Sequence, residues 1–168
     1  IDLVEKLIQF APKALTIKDK YGNLPLHVSC IMEASPDIVK ILFKAYPKAA
    51  EMLGSEGNLP LHLALKYIAS SDVTEMIFRA YPKAVQVQEG EGWLPLHFAL
   101  CYDPSYDIIK MLFDEYPQAA QVKNNAGNLP FHIANIFNPS PRVIKMIFEA
   151  YPKAVEMKGI LECFPLHY

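Results

Sequence analysis

No apolar stretch in these 168 residues approaches the ~20 consecutive residues that a membrane-spanning helix needs, although 52% of the chain is hydrophobic. Neither sign of charge dominates: a formal net charge of −2 gives no global pull toward nucleic acid or an anionic membrane surface. No signal-peptide pattern opens the chain. Cysteine is scarce, and Cys30, Cys101 and Cys163 occupy three different places in the sequence pattern. That excludes a repeating ligand set or a disulfide framework, and it fits an intracellular, reducing compartment, cytoplasmic or nuclear. There is no phosphate-binding glycine loop, no nucleophile elbow and no paired-carboxylate cluster. The expectation is a chain that is not an enzyme, with no catalytic residue, metal or cofactor. Tryptophan occurs once, at Trp93, and histidine five times.

Those five histidines are the key to what is present. Each closes a short motif: "GNLPLH" at 22–27 and 57–62, "GWLPLH" at 92–97, "GNLPFH" at 127–132 and "ECFPLH" at 162–167. His27, His62, His97, His132 and His167 are therefore 35 residues apart. A second ruler keeps step, with Tyr46-Pro47, Tyr81-Pro82, Tyr116-Pro117 and Tyr151-Pro152. Self-similarity at a fixed period of this size marks a repeat architecture. The reading is a single array over 1–168. It has a partial repeat at 1–21, full repeats at about 22–56, 57–91, 92–126 and 127–161, and a partial repeat at 162–168. The first residue is Ile1 and both ends cut through a repeat, so the chain is expected to be a piece of a longer protein.

Each unit reads as two short helices. The first opens at Leu-Pro, because proline suits the first helical turn; Pro104 and Pro139 require it to stop early. The second starts at Ser35, Ser70, Ser105 and Ser140, which as caps can accept a free first-turn N–H. Asp37, Asp72 and Asp107 follow, where negative charge suits the positive end of the helix dipole. Ile38, Ile41, Leu42 and Ala45 then share one face, and the proline of Tyr-Pro ends the helix. About ten residues with paired glycines lead to the next motif as a turn or hairpin. One such unit cannot bury its apolar faces alone, but a stack of them can. The predicted fold class is all-α, an α-solenoid.

"DKYGNLPLHVS" at 19–29 resembles the opening of the ankyrin repeat, D-x-x-G-x-T-P-L-H-x-A, with Asp19, Gly22, Pro25, Leu26 and His27 in place. Ala64, Ala99 and Ala134 supply its alanine, and "IVKILF" resembles its second helix. The departures are a 35-residue unit where ankyrin units usually have 33, and leucine where the threonine cap usually stands. Asn23, Asn58 and Asn128 are candidate replacement caps. The resemblance implies histidines that bond backbone between neighbouring units. It also implies recognition of a protein partner by the turn tips and the exposed, concave face of the first helices.

A metal or acid–base role for the histidines is disfavoured on spacing. Zinc ligands converge at ~2.0–2.1 Å from one ion, whereas equivalent residues of stacked helices stand roughly 10 Å apart. Function is sought instead where the repeat is broken. Trp93 replaces an asparagine, with Glu89 and Glu91 beside it. Tyr67, Tyr102 and Phe137 form an aromatic row with Met32, while Tyr21, Lys66 and Asn125 vary at tip or helix positions. Tryptophan and tyrosine bring large contact area at low entropy cost; the alternative is that the inter-helix loops fold back and bury the row. The leading function is a non-catalytic protein–protein interaction scaffold or adaptor. The alternatives are a structural spacer in a large multiprotein assembly and a regulatory arm of a larger enzyme. Expected partners are proteins, without nucleic acid or membrane insertion.

Overall fold

A computed structural model describes residues 2–67, 70–102, 105–137, 140–160 and 163–165. Pro104, Pro139 and His167 lie outside the described residues. Among the described residues there are α-helices and 3-10 turns and no strand. The α-helices are α1 (Asp2–Phe10), α2 (Pro25–Ile31), α3 (Pro36–Ala45), α4 (Pro60–Tyr67), α5 (Ser71–Ala80), α6 (Pro95–Tyr102), α7 (Tyr106–Glu115), α8 (Pro130–Phe137) and α9 (Pro141–Ala150). The all-α expectation holds. The chain forms two compact units, Ile1–Ala84 and Val85–Tyr168.

In the first unit α2 packs against α3 and α4, α4 against α5, and α1 against α3. In the second, α6 packs against α7 and α8, and α8 against α9. The motif leucines fill these contacts: Leu24, Leu59, Leu94 and Leu129 are fully buried, as are Leu61 and Leu96 beside their histidines.

Local rules account for most helix starts. Proline occupies the first position of α2, with Leu24 extended before it. Leucine offers no side-chain acceptor, and the histidine takes over that end of the helix. Its Nδ1 accepts the Leu24 N–H at 3.3 Å, and the same bond recurs from Leu59 to His62 (3.0 Å), Leu94 to His97 (3.1 Å) and Leu129 to His132 (3.2 Å). Histidine thus plays the third-residue part of a capping box, normally held by Glu or Gln.

The serine caps need correction. None of Ser35, Ser70, Ser105 and Ser140 makes a side-chain cap bond. Before Pro36 and Pro141 the serine is held extended (φ −53°, ψ 146° at Ser35), and its carbonyl receives the first helical N–H, as in Val39 N–H to Ser35 O at 3.2 Å, while its hydroxyl makes no cap bond.

The connectors also differ from the expected simple turn. Tyr46 leaves helical geometry ahead of Pro47. Pro47 then opens a 3-10 turn, Pro47–Glu51, repeated at Pro12–Thr16, Pro82–Gln86, Pro117–Gln121 and Pro152–Glu156. Two residues after Pro47, Pro82, Pro117 and Pro152, Ala49, Ala84, Ala119 and Ala154 are buried, whereas Ala14 after Pro12 is exposed. Each connector closes in a tip loop bonded from the residue three before the glycine to the one after it: Asp19 to Asn23 (2.9 Å), Gly54 to Asn58 (2.8 Å), Glu89 to Trp93 (3.1 Å) and Asn124 to Asn128 (3.0 Å). The motif glycines adopt the left-handed φ these loops need, from +74° at Gly57 to +89° at Gly22. Gly159 and Cys163 make the equivalent bond at 2.9 Å, so this closure does not require the motif glycine.

Candidate functional site

His27, His62, His97 and His132 are fully buried in the fold. In His27 and His132 Nδ1 accepts a backbone N–H, so the ring proton is on Nε2, which donates to the carbonyls of Met52 (2.8 Å) and Met157 (2.9 Å). With both nitrogens engaged, neither ring can serve as a ligand. Burial lowers the pKa of His27, His97 and His132, because the charged form would lose its hydration. His97 falls furthest, from 6.5 to about 4; the neighbouring Asn128 and Val122 backbone offsets its burial only in part. Its Nε2 makes no hydrogen bond with the described residues. Among the described residues no group of three or more His, Cys, Asp or Glu side chains could hold a metal ion.

The tip loops are tied to one another by side chains of the motif. Asn23 Oδ1 accepts the Ser55 N–H of the following tip (2.8 Å), and Asn128 Oδ1 accepts the Ile160 N–H (2.9 Å). These asparagines join repeats rather than capping helices, which corrects the cap expectation for both. Asn58 instead donates from Nδ2 to Ser55 O at 3.1 Å, inside its own tip.

Trp93 has no oxygen to offer at this junction. The N–H of Asn125, equivalent to Ser55 and Ile160, goes to the Glu91 carbonyl (2.9 Å), while Asn125 Nδ2 donates to Gly90 O (3.1 Å). The tryptophan is thus freed from the tie its position elsewhere makes. It turns to the aromatics of α6, with its ring 5.2 Å from Phe98 and 5.9 Å from His97; Phe98 stacks in turn on Tyr102 at 6.3 Å. The outcome is a Trp93–Phe98–Tyr102 column that starts half-buried and ends exposed. Phe98 was missed on sequence. Its signal was available, since the equivalent places of the other full repeats hold Val28, Leu63 and Ile133, and among the full repeats only the unit containing Trp93 has an aromatic there.

Glu89 is not part of an acidic surface. It is buried, and its Oε1 accepts the N–H groups of both Glu91 and Trp93 at 3.0 Å. Asp19 does the same for Tyr21 and Asn23 at 2.9 Å. Glu91 remains exposed at the tip.

The other candidates fall into separate places. In the second unit Tyr102 and Phe137 end α6 and α8 about half exposed, at 48% and 49%. In the first unit Tyr21 and Met32 are exposed. Lys20 lies over the Tyr21 ring at 4.9 Å. Lys66 lies over the half-buried Tyr67 ring at 5.2 Å. No helix among the described residues is long and apolar enough to cross a membrane.

No family model matches the sequence, and no curated protein does. Among solved structures, the chain is similar to one of the predatory endopeptidase Bd0816 from Bdellovibrio bacteriovorus in complex with immunity protein Bd3460. The TM-score is 0.80 and the identity 20%, over 99% of this chain and 83% of that one. These findings correct the ankyrin-repeat assignment, together with the scaffold, spacer and enzyme-arm functions read from it. The structure also supplies a physical reason why the motif misleads. Gly-x-Leu-Pro-Leu-His here encodes a left-handed tip, a helix start and a backbone-binding imidazole. These are local requirements of a packed helix pair and do not by themselves identify a family.

Proposed function

We propose that the chain is a non-catalytic binding protein of immunity type, which holds a hydrolytic partner protein and blocks it. The observation that carries this is the Trp93–Phe98–Tyr102 column beside Glu91. Exposed Tyr102 and half-buried Trp93, backed by the buried Phe98 and beside an exposed carboxylate, have the composition of an interface anchor. The likeness to a structure containing an endopeptidase and an immunity protein supports this partner class. Tyr21, Met32, Lys66, Tyr67, Asn125 and Phe137 are assigned secondary contacts. The three free cysteines support work in a reducing compartment. The finer architecture belongs to the same reading: the constant 35-residue period and the matching packing inside each unit support solenoid-like stacking of helix pairs within each unit.

A photo-crosslinking amino acid in place of Tyr102 tests the proposal. The captured protein should be a hydrolase whose activity falls as chain is added. Trp93→Ala should weaken that inhibition by roughly tenfold or more, the loss of ~1–2 kcal/mol typical of an anchor. A captured protein with no hydrolytic activity, or one inhibited equally by the variant, removes this function.

A further inference from the structure

The helices α3, α5 and α7 carry an aspartate as second residue: Asp37, Asp72 and Asp107. In α9 that place holds Arg142. A cation there opposes the helix dipole, so the exchange does not serve the helix itself. Tyr106 is a second departure, standing at the start of α7 where α3 and α9 have proline and α5 has Ser71. The two departures meet: the Arg142 guanidinium lies over the Tyr106 ring, 5.3 Å from its centre.

They border an open groove of about 760 Å³ between α7 and α9. Phe113 and Met146, both half-buried, line it. Lys110 and Lys145 line it too, but each is engaged by the acid one turn on, Lys110 with Asp114 and Lys145 with Glu149 at 3.7 Å. Among the described residues Arg142 makes no ion pair. A planar cation is therefore presented against an aromatic ring, beside an apolar surface.

We propose that this groove docks a segment of a partner protein carrying a carboxylate next to an apolar side chain. A guanidinium grips a carboxylate through two parallel N–H bonds, and stacking on Tyr106 holds its plane in advance. The two lysine–carboxylate pairs cancel, so Arg142 is the net charge that the groove's charged side chains present. Phe113 and Met146 accept the apolar neighbour. A polyphosphate carries more negative charge than this one net cation offsets. The site stands apart from the Trp93 column and does not depend on the function proposed above.

The probe is a fluorescein-labelled octapeptide of alternating glutamate and leucine, titrated against the chain by fluorescence anisotropy. Lys-Leu and Glu-Ser octapeptides are the controls. Saturable binding of the Glu-Leu peptide alone is expected, and salt should weaken it. Arg142→Asp, which restores the residue of the other helices, should lower affinity at least about tenfold, the effect of losing a charge-assisted bond. It should also melt no earlier than the parent. Arg142→Gln should lose affinity with no new charge, and Trp93→Ala should bind as the parent does. The proposal is overturned by an unsaturable Glu-Leu titration, by equal binding of Glu-Ser, or by retained affinity in both Arg142 variants. A clearly lower melting temperature in Arg142→Asp also overturns it, since Arg142 would then be a structural brace.

Discussion

Acid should unfold this protein through its histidines, and His97 allows the size to be worked out. The ring is fully buried, its Nδ1 accepts the Leu94 N–H, and its pKa lies at about 4 against 6.5 for an unperturbed imidazole. A second proton would have to go on Nδ1, where it would face the Leu94 donor. Folded His97 thus stays neutral while the unfolded chain takes up a proton below pH 6.5. Its contribution to stability is complete above pH 6.5, declines as pH falls toward 4 and is flat below. At ~1.4 kcal/mol per pH unit, His97 alone costs about 2 kcal/mol between pH 7 and pH 5. His27 and His132 shift the same way and steepen the loss. The control is His97→Gln. Glutamine at the third helical position can still accept the Leu94 N–H but does not titrate. Urea unfolding followed by circular dichroism at pH 7 and pH 5 should show the variant losing about 2 kcal/mol less than the parent. Equal losses, or an NMR titration placing the His97 midpoint near 6.5, would refute the reasoning.

Two further perturbations separate local from tertiary effects. At Gly54 an added Cβ would lie 2.5 Å from Asn23 Oδ1 and 2.6 Å from the His27 ring, while at Gly22 it would meet nothing within 4 Å. Gly54→Ala should destabilise by about 1–3 kcal/mol through overpacking, and Gly22→Ala by roughly 1 kcal/mol through its left-handed φ, as read by chemical denaturation. The reverse order would contradict the close packing of tip on histidine. Ser35→Ala should change stability by less than about 0.5 kcal/mol, because the hydroxyl makes no cap bond. A loss of ~1 kcal/mol in the same assay would restore the cap.

Much of the fold was readable because its signals are local. Proline at the first helical position, glycine at the tip and an apolar face at helical spacing act on their own few residues, and each recurs at a fixed period. The errors lie where a side chain has more than one reachable partner. A serine before a helix has the composition of a cap, yet none of the four makes the side-chain bond, whether or not proline follows. Pro47 was read as a stop, and it also starts the 3-10 turn that buries Ala49. The site was partly legible. Trp93, Glu91 and Asn125 stand out as breaks in a pattern, whereas Phe98 lies one residue past the repeated motif, in a slot that is apolar throughout the full repeats. Glu89 was counted as surface although two tip N–H groups draw it inward. Family and function were the least legible, since the motif reports the needs of a helix pair and says nothing about the partner.

By itself the sequence determined the 35-residue period, the helical class, the start of nearly every helix and the places of His27, His62, His97 and His132. Those follow from backbone preferences that act within a few residues. Only the tertiary structure decided where the polar side chains go. Asn23 reaches Ser55 and Asn128 reaches Ile160, each 32 residues on, while Arg142 meets Tyr106, 36 residues before it. Trp93 turns to Phe98 because no acceptor oxygen stands in its place. Contacts of this kind depend on which repeats are neighbours and on what each has left unsatisfied, and that is fixed only once the helices have packed.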